Sequence, residues 1–134
     1  NGSIDLFIEM GGAVNGDKYH NILFQNPGNQ NSWTSLKLIG KSSNVVAIGA
    51  KIRIQTDDPD LPYVFRHVTS GSSFGANPLE QTIGLGKATK ILGIEIQWPS
   101  PANVQDAPKI EKIDGPIPLG KTLRIEEGQG LLTR

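Results

Sequence analysis

The sequence predicts an all-β domain built as an antiparallel β-sandwich, a two-sheet fold of the jelly-roll or immunoglobulin-like kind with about eight or nine short strands. Three observations carry this expectation. Apolar residues recur with period two, turn-forming residues separate the alternating runs, and no window of 11 or more residues places apolar side chains at helical spacing. The alternation is clearest in Lys51-Ile52-Arg53-Ile54-Gln55, where the isoleucines share one face and the polar residues the other. Leu92, Ile94, Ile96 and Trp98 are expected to form one apolar face, set against Gly93, Glu95 and Gln97. Leu123 and Ile125 alternate with Thr122, Arg124 and Glu126, and near the start Leu6 and Ile8 alternate with Asp5, Phe7 and Glu9. One apolar and one polar face per strand is the signature of sheets with one side in a core.

Strands are expected near 4–10, 20–25, 33–39, 46–56, 63–69, 79–84, 91–98, 109–113 and 121–127. Turn chemistry divides them at Asn26-Pro27-Gly28-Asn29, Asp57-Asp58-Pro59-Asp60, Ser70-Gly71-Ser72-Ser73 and Pro99-Ser100-Pro101. With Gly 16 and Pro 9 in 134 residues, such turns are frequent. A chain of this length buries about two-thirds of its unfolded surface as one domain.

Composition narrows the function. Thirteen basic and thirteen acidic residues balance, with no long run of either sign, so neither nucleic acid nor an anionic membrane finds a basic surface. No segment is long and apolar enough to insert into a membrane. The absence of cysteine excludes disulfides, thiolate metal sites and thiol nucleophiles. The first residues are small and polar and carry no Met, which reads as a fragment of a longer protein.

Several motifs invite stronger readings. Gly115-Pro-Ile-Pro-Leu-Gly120-Lys121-Thr122 matches a phosphate-binding loop letter for letter. That loop presents successive backbone N–H groups at a helix start, yet Pro116 and Pro118 have none, and the residues after Thr122 alternate like a strand. A turn before the last strand is the expectation. Gly84-Leu85-Gly86 lacks the third glycine and the helix of a dinucleotide site and reads as a tight turn. His20 and His67 have no metal-type partner at close spacing. Asp57, Asp58 and Asp60 read as a solvated hairpin tip, because Pro59 interrupts a calcium-ligand pattern. Glu9, Glu80, Glu95, Glu111, Glu126 and Glu127 show no pairing that glycoside hydrolysis needs, so no catalytic residue is assigned and no enzyme is expected.

Asn1-Gly2-Ser3-Ile4-Asp5 looks like the second half of a calcium loop, with Asn1 and Asp5 as half-site candidates. No cofactor is expected; calcium would require a complete preceding repeat.

The order and spacing of longer blocks carry a family resemblance. These are Leu36-Lys-Leu-Ile-Gly40, Ser43-Asn44-x-x-Ala47-Ile48-Gly49-Ala50, Arg66-x-Val68-x-x-Gly71-x-Ser73, Gly84-Leu85-Gly86, Ile94-x-Ile96-x-Trp98-Pro99 and Ile125-Glu-Glu-Gly128. From Trp33 onward the chain is similar to the ASPIC/UnbV domain. Asp5-Leu6-Phe7-Ile8 and Leu23-Phe24-Gln25-Asn26-Pro27-Gly28-Asn29 resemble the end of an FG-GAP-type β-propeller repeat. The chain departs from the ASPIC/UnbV pattern at Val45, where Arg is common, at Phe74-Gly75-Ala76-Asn77 in place of Ser-Gln, and at Pro101 after Ser100.

The resemblance implies residues 1–31 as a propeller-repeat tail, packed on or paired with the main domain, and residues 32–134 as the β-sandwich. It implies a secreted or cell-surface setting beside an integrin-like propeller and no catalytic activity. The expected function is an interaction or adhesion module, with carbohydrate binding as the alternative and a protein or glycan of the cell surface or matrix as partner. Loops of a rigid sandwich often carry recognition, which makes Arg66, Ser72, Ser73, Phe74 and Asn77 the candidate binding residues. Asn44 is expected to cap a turn, while Ala47, Ile48 and Ala50 are expected to pack between sheets. Residues 1–31 are also expected to pair with an edge strand, including that of a second copy, giving a dimer.

Overall fold

The computed structural model describes residues 3–72, 75–99 and 109–132, and the described residues form strands and no helix. Residues Asn1–Gln30 and Asn31–Arg134 are two compact units.

The first unit is a hairpin of β1 (Leu6–Ile8) and β2 (Ile22–Phe24), with Leu6 opposite Phe24, Phe7 opposite Leu23 and Ile8 opposite Ile22. Asn26 anchors its end: the Asp5 carboxylate accepts the Asn26 N–H at 2.9 Å, and the Asn26 side-chain amide donates to the Ile4 carbonyl at 3.2 Å.

Among the described residues, the second unit holds ten strands: β3 (Trp33–Ile39), β4 (Lys51–Thr56), β5 (Tyr63–His67), β6 (Gly71–Ser72), β7 (Gly75–Ala76), β8 (Gln81–Gly84), β9 (Ile91–Gln97), β10 (Ile110–Ile117), β11 (Thr122–Glu126) and β12 (Gly130–Leu132). One four-stranded sheet runs β10-β9-β4-β5 and is antiparallel throughout. The other runs β12-β11-β3-β8, and its central pair β3 and β11 is parallel. The expected sandwich is present, with one mixed sheet; β6 and β7 form a separate two-residue ribbon. Ile52, Ile54, Ile94 and Ile96 from the first sheet meet Leu36, Ile83, Leu123 and Ile125 from the second in one core, with Leu85 and Trp98 in the same cluster.

Three local outcomes differ from the sequence reading. The strand expected from residue 46 starts at Lys51, because Ala47 (φ 56°) and Gly49 (φ 96°) turn the backbone into the left-handed region, where a strand cannot run. Ala47 and Ala50 are fully buried as expected, but Ile48 is exposed. The turn at Glu127–Gln129 leads into β12, so β11 is not the last strand.

The third difference lies in β9. Gln55 opposes Gly93 and Thr56 opposes Ile91, so Leu92 is skipped in a β-bulge. The neighbouring β10 shifts register at the same place, between Asp114 and Ile117. Ile91 and Ile94 therefore both face the core, and Leu92, expected to share the face of Ile94, is 44% exposed. Gly115 sits against this bulge: a Cβ there would lie 2.5 Å from the Ile91 carbonyl oxygen and 2.6 Å from that of Leu92.

The phosphate-loop lookalike is the end of β10 and a turn that enters β11 directly. Ile94→Ala should cost about 2–5 kcal/mol by opening a core cavity, whereas Leu92→Ala should cost less than about 1 kcal/mol, measured by urea denaturation. A simple alternating strand would make the two losses similar.

Candidate functional site

Among the described residues, the loop candidates lie on β5 and at the β6–β7 ribbon. Arg66 lies on β5, an edge strand, and its guanidinium donates to the Phe65 carbonyl at 2.9 Å. Ser72 lies in β6, where its backbone pairs with Gly75. The Asn77 N–H donates to the Ser70 carbonyl at 3.2 Å, at the base of the same ribbon. Ser73, Phe74 and Asn1 lie outside the described residues. Asp5 spends one carboxylate oxygen on Asn26, and among the described residues no three His, Cys, Asp or Glu side chains gather as metal ligands.

The acidic loop is a staple between loops. Asp57 accepts from the Thr89 N–H (2.8 Å), the Thr89 hydroxyl (2.5 Å) and the Lys90 N–H (2.9 Å). The Thr89 hydroxyl and these amides hold the Asp57 carboxyl below its ordinary range. Asp58 is buried, contrary to the solvated tip expected, and accepts from the Asp60 and Lys87 N–H groups at 3.0 and 2.8 Å. Its partner turn contains Gly86 (φ 59°), where a Cβ would lie 2.8 Å from the Asp58 carboxylate.

A larger polar cluster gathers at one end of the sandwich. The Glu127 side chain is buried, and its carboxylate accepts the Lys41 and Ser43 N–H groups at 2.8 Å each and the Ser42 hydroxyl at 2.6 Å. Lys109 Nζ stands 3.4 Å away. Burial pushes the carboxyl up, but the Ser42 hydroxyl, the two amides and the Lys109 charge outweigh it and hold the group at about 2. Ser43 also donates its hydroxyl to the Pro99 carbonyl at 2.9 Å. Asn44 caps the next turn from both sides, accepting the Ile48 N–H at 2.9 Å and donating to the Ile48 carbonyl at 2.8 Å. Beside them the Trp98 indole N–H donates to Glu111 at 2.8 Å, and the same Glu111 oxygen accepts the Gly128 N–H at 3.0 Å. Glu111 on β10 is thereby tied to the turn after β11, joining the two sheets. Both carboxylates accept donors from several loops, so the cluster ties those loops together.

The open chemistry is on the outer face of the first sheet. Opposed residues on its four strands form three rows: Ile110, Gln97, Lys51, His67; then Lys112, Glu95, Arg53, Phe65; then Asp114, Gly93, Gln55, Tyr63. In the middle row Glu95 bridges Lys112 at 3.0 Å and Arg53 at 2.7 Å. Lys112 and Arg53 hold its carboxyl below the ordinary range. The Arg53 guanidinium also lies 5.2 Å from the Tyr63 ring centroid. Tyr63 and Phe65 are exposed. A cleft of about 310 Å³ is lined by Lys51, Arg53, Phe65, Glu95, Gln97 and Ile110. A second, of about 230 Å³, opens over Gly93, where the row has no side chain. Sequence reasoning missed this face because Tyr63-Val64-Phe65 is apolar on both sides and does not say which ring is outside.

Glu127 sets an acid limit on stability. Its folded value lies below its ordinary 4.5, so its contribution is complete above pH 4.5 and is lost as pH falls towards 2. The shift corresponds to roughly 3 kcal/mol at neutral pH. Glu127→Gln should lose about 2–4 kcal/mol at pH 7 and show a flatter stability profile between pH 4.5 and 2, followed by urea midpoints. Gly40→Ala should be as damaging, since a Cβ there would lie 2.1 Å from the Asn44 carbonyl oxygen; a drop in melting temperature of several degrees is expected.

No curated protein and no solved structure matches the chain. The family model described as ASPIC and UnbV matches residues 40–131, more than half of the chain. The match spans Gly40, the Ser43–Ala50 turn, the Trp98–Glu111 contact and the Glu127 clasp. This chain belongs to the ASPIC and UnbV family.

Proposed function

We propose that the chain is a non-catalytic interaction module of a secreted or cell-surface protein, acting beside an integrin-like β-propeller to which residues 1–31 contribute the end of an FG-GAP-type repeat. The observation that carries the propeller reading is the β1–β2 hairpin. Leu6 and Phe24 are exposed on one face, and Phe7 and Leu23 on the other. A two-stranded hairpin is marginal alone in water, and one that is apolar on both faces suits the interior of a layered sheet assembly. Family membership supports the extracytoplasmic setting. No described helix is long and apolar enough to cross a membrane.

The interaction reading rests on how the polar groups are spent. Asp57, Asp58, Glu111 and Glu127 each accept at least two hydrogen bonds from the chain itself. The exposed aromatic and charged face of the first sheet is left to meet a partner, a protein or a glycan of the cell surface or matrix. Trp98 is buried and Trp33 half-buried, so neither forms an aromatic platform; Tyr63 and Phe65 are the exposed rings that favour the glycan reading.

The test is binding of the labelled chain to cell surfaces and matrix extracts. Saturable binding is expected, and its absence with the chain alone and with the chain joined to a propeller would overturn the reading. Hydrogen exchange tests the hairpin: amides of residues 22–24 should exchange much faster than those of β4 and β9, and slow when a propeller sheet precedes them.

A further inference from the structure

We propose that the outer face of the β10-β9-β4-β5 sheet is a binding platform for an acidic saccharide, seated in the cleft between Phe65 and Lys51. This rests on the interaction-module reading and names its ligand class.

The cleft, about 310 Å³, is of the size that takes a small molecule.

A sugar ring presents an apolar C–H face and a rim of hydroxyl groups. Phe65, 64% exposed, offers an aromatic surface to the first. Arg53 opposes it on the adjoining strand and Gln97 lines the same cleft, so both can bond the second. Arg53 is already fixed by Glu95 and stacked near Tyr63, so little side-chain entropy is lost when a ligand docks.

The charges of the face select among sugars. Glu95 is bridged by both Lys112 and Arg53, which leaves that triad with a net positive charge. Lys51 lines the same cleft, and among the described residues it makes no ion pair. Asp114 lines the neighbouring cleft, not this one. The Phe65–Lys51 cleft therefore favours an anionic sugar, with its carboxylate on the Lys51 ammonium.

The experiment is calorimetric titration of the full chain with tetragalacturonate and with neutral cellotetraose, backed by amide chemical-shift mapping. Tetragalacturonate should bind at least tenfold tighter than cellotetraose, with shifts centred on Arg53, Phe65 and Gln97. Phe65→Ala should lower affinity at least tenfold with an unchanged melting temperature, since the ring is exposed. Lys51→Met should remove the preference for the acidic ligand. No binding of either sugar, equal binding of both, or binding unchanged in Phe65→Ala overturns the proposal. Cell-surface binding separates this failure from that of the broader reading. If it persists after enzymatic glycan removal, the module reading stands and the saccharide proposal falls; if the sugars bind but no cell surface does, the reverse holds.

Discussion

A buried carboxylate organises this domain. Glu127 has left water, and it remains charged because the Lys41 and Ser43 amides and the Ser42 hydroxyl converge on it. A buried unpaired charge is strongly destabilising, so the 40–43 loop must close over Glu127. That loop follows β3, and Glu127 follows β11, the two parallel strands at the centre of the second sheet. Once the loop is set, Ser43 reaches Pro99 and Asn44 shapes the turn that buries Ala47 and Ala50. Glu111, held by Trp98 and Gly128, repeats the device and binds the first sheet to the second. The Ser43–Ala50, Trp98-Pro99 and Glu127-Gly128 blocks thus meet in one hydrogen-bonded cluster.

Strands with one wet face were legible in the sequence. Ile52 and Ile54 against Arg53, and Leu123 and Ile125 against Arg124, lie as alternation predicts. The bulge was not legible, because Ile91-Leu92 offers two adjacent apolar residues and only the backbone of β10 decides which turns inward. The start of β4 was misplaced because Val45, Val46 and Ile48 have strand-like side chains, while the left-handed backbone at Ala47 and Gly49 overrides that propensity. β12 is three residues long and is specified by pairing with β11, not by a pattern of its own.

The polar sites were harder to foresee. Nothing in the residues around Glu127 marks it for burial; what buries it is a loop more than eighty residues earlier. Asp58 resisted for the same reason, since its donors lie on the 84–90 turn. The outer face needed the register itself, because only strand pairing brings Lys112, Glu95, Arg53 and Phe65 into one row. Residue types on single strands do not encode neighbours across a sheet.

The parallel pairing of Leu36 with Leu123 also has a kinetic meaning. A parallel neighbour cannot be reached through a hairpin, and the loop that joins this pair contains the whole of the first sheet. During synthesis, β3 emerges before the first sheet and must wait for β11, which follows it. The antiparallel β4–β5 pair can form while that wait continues, but the second sheet cannot be completed until β11 has left the ribosome. A chain that has emerged only through β10 would therefore hold one formed sheet and a β3 that lacks its parallel neighbour.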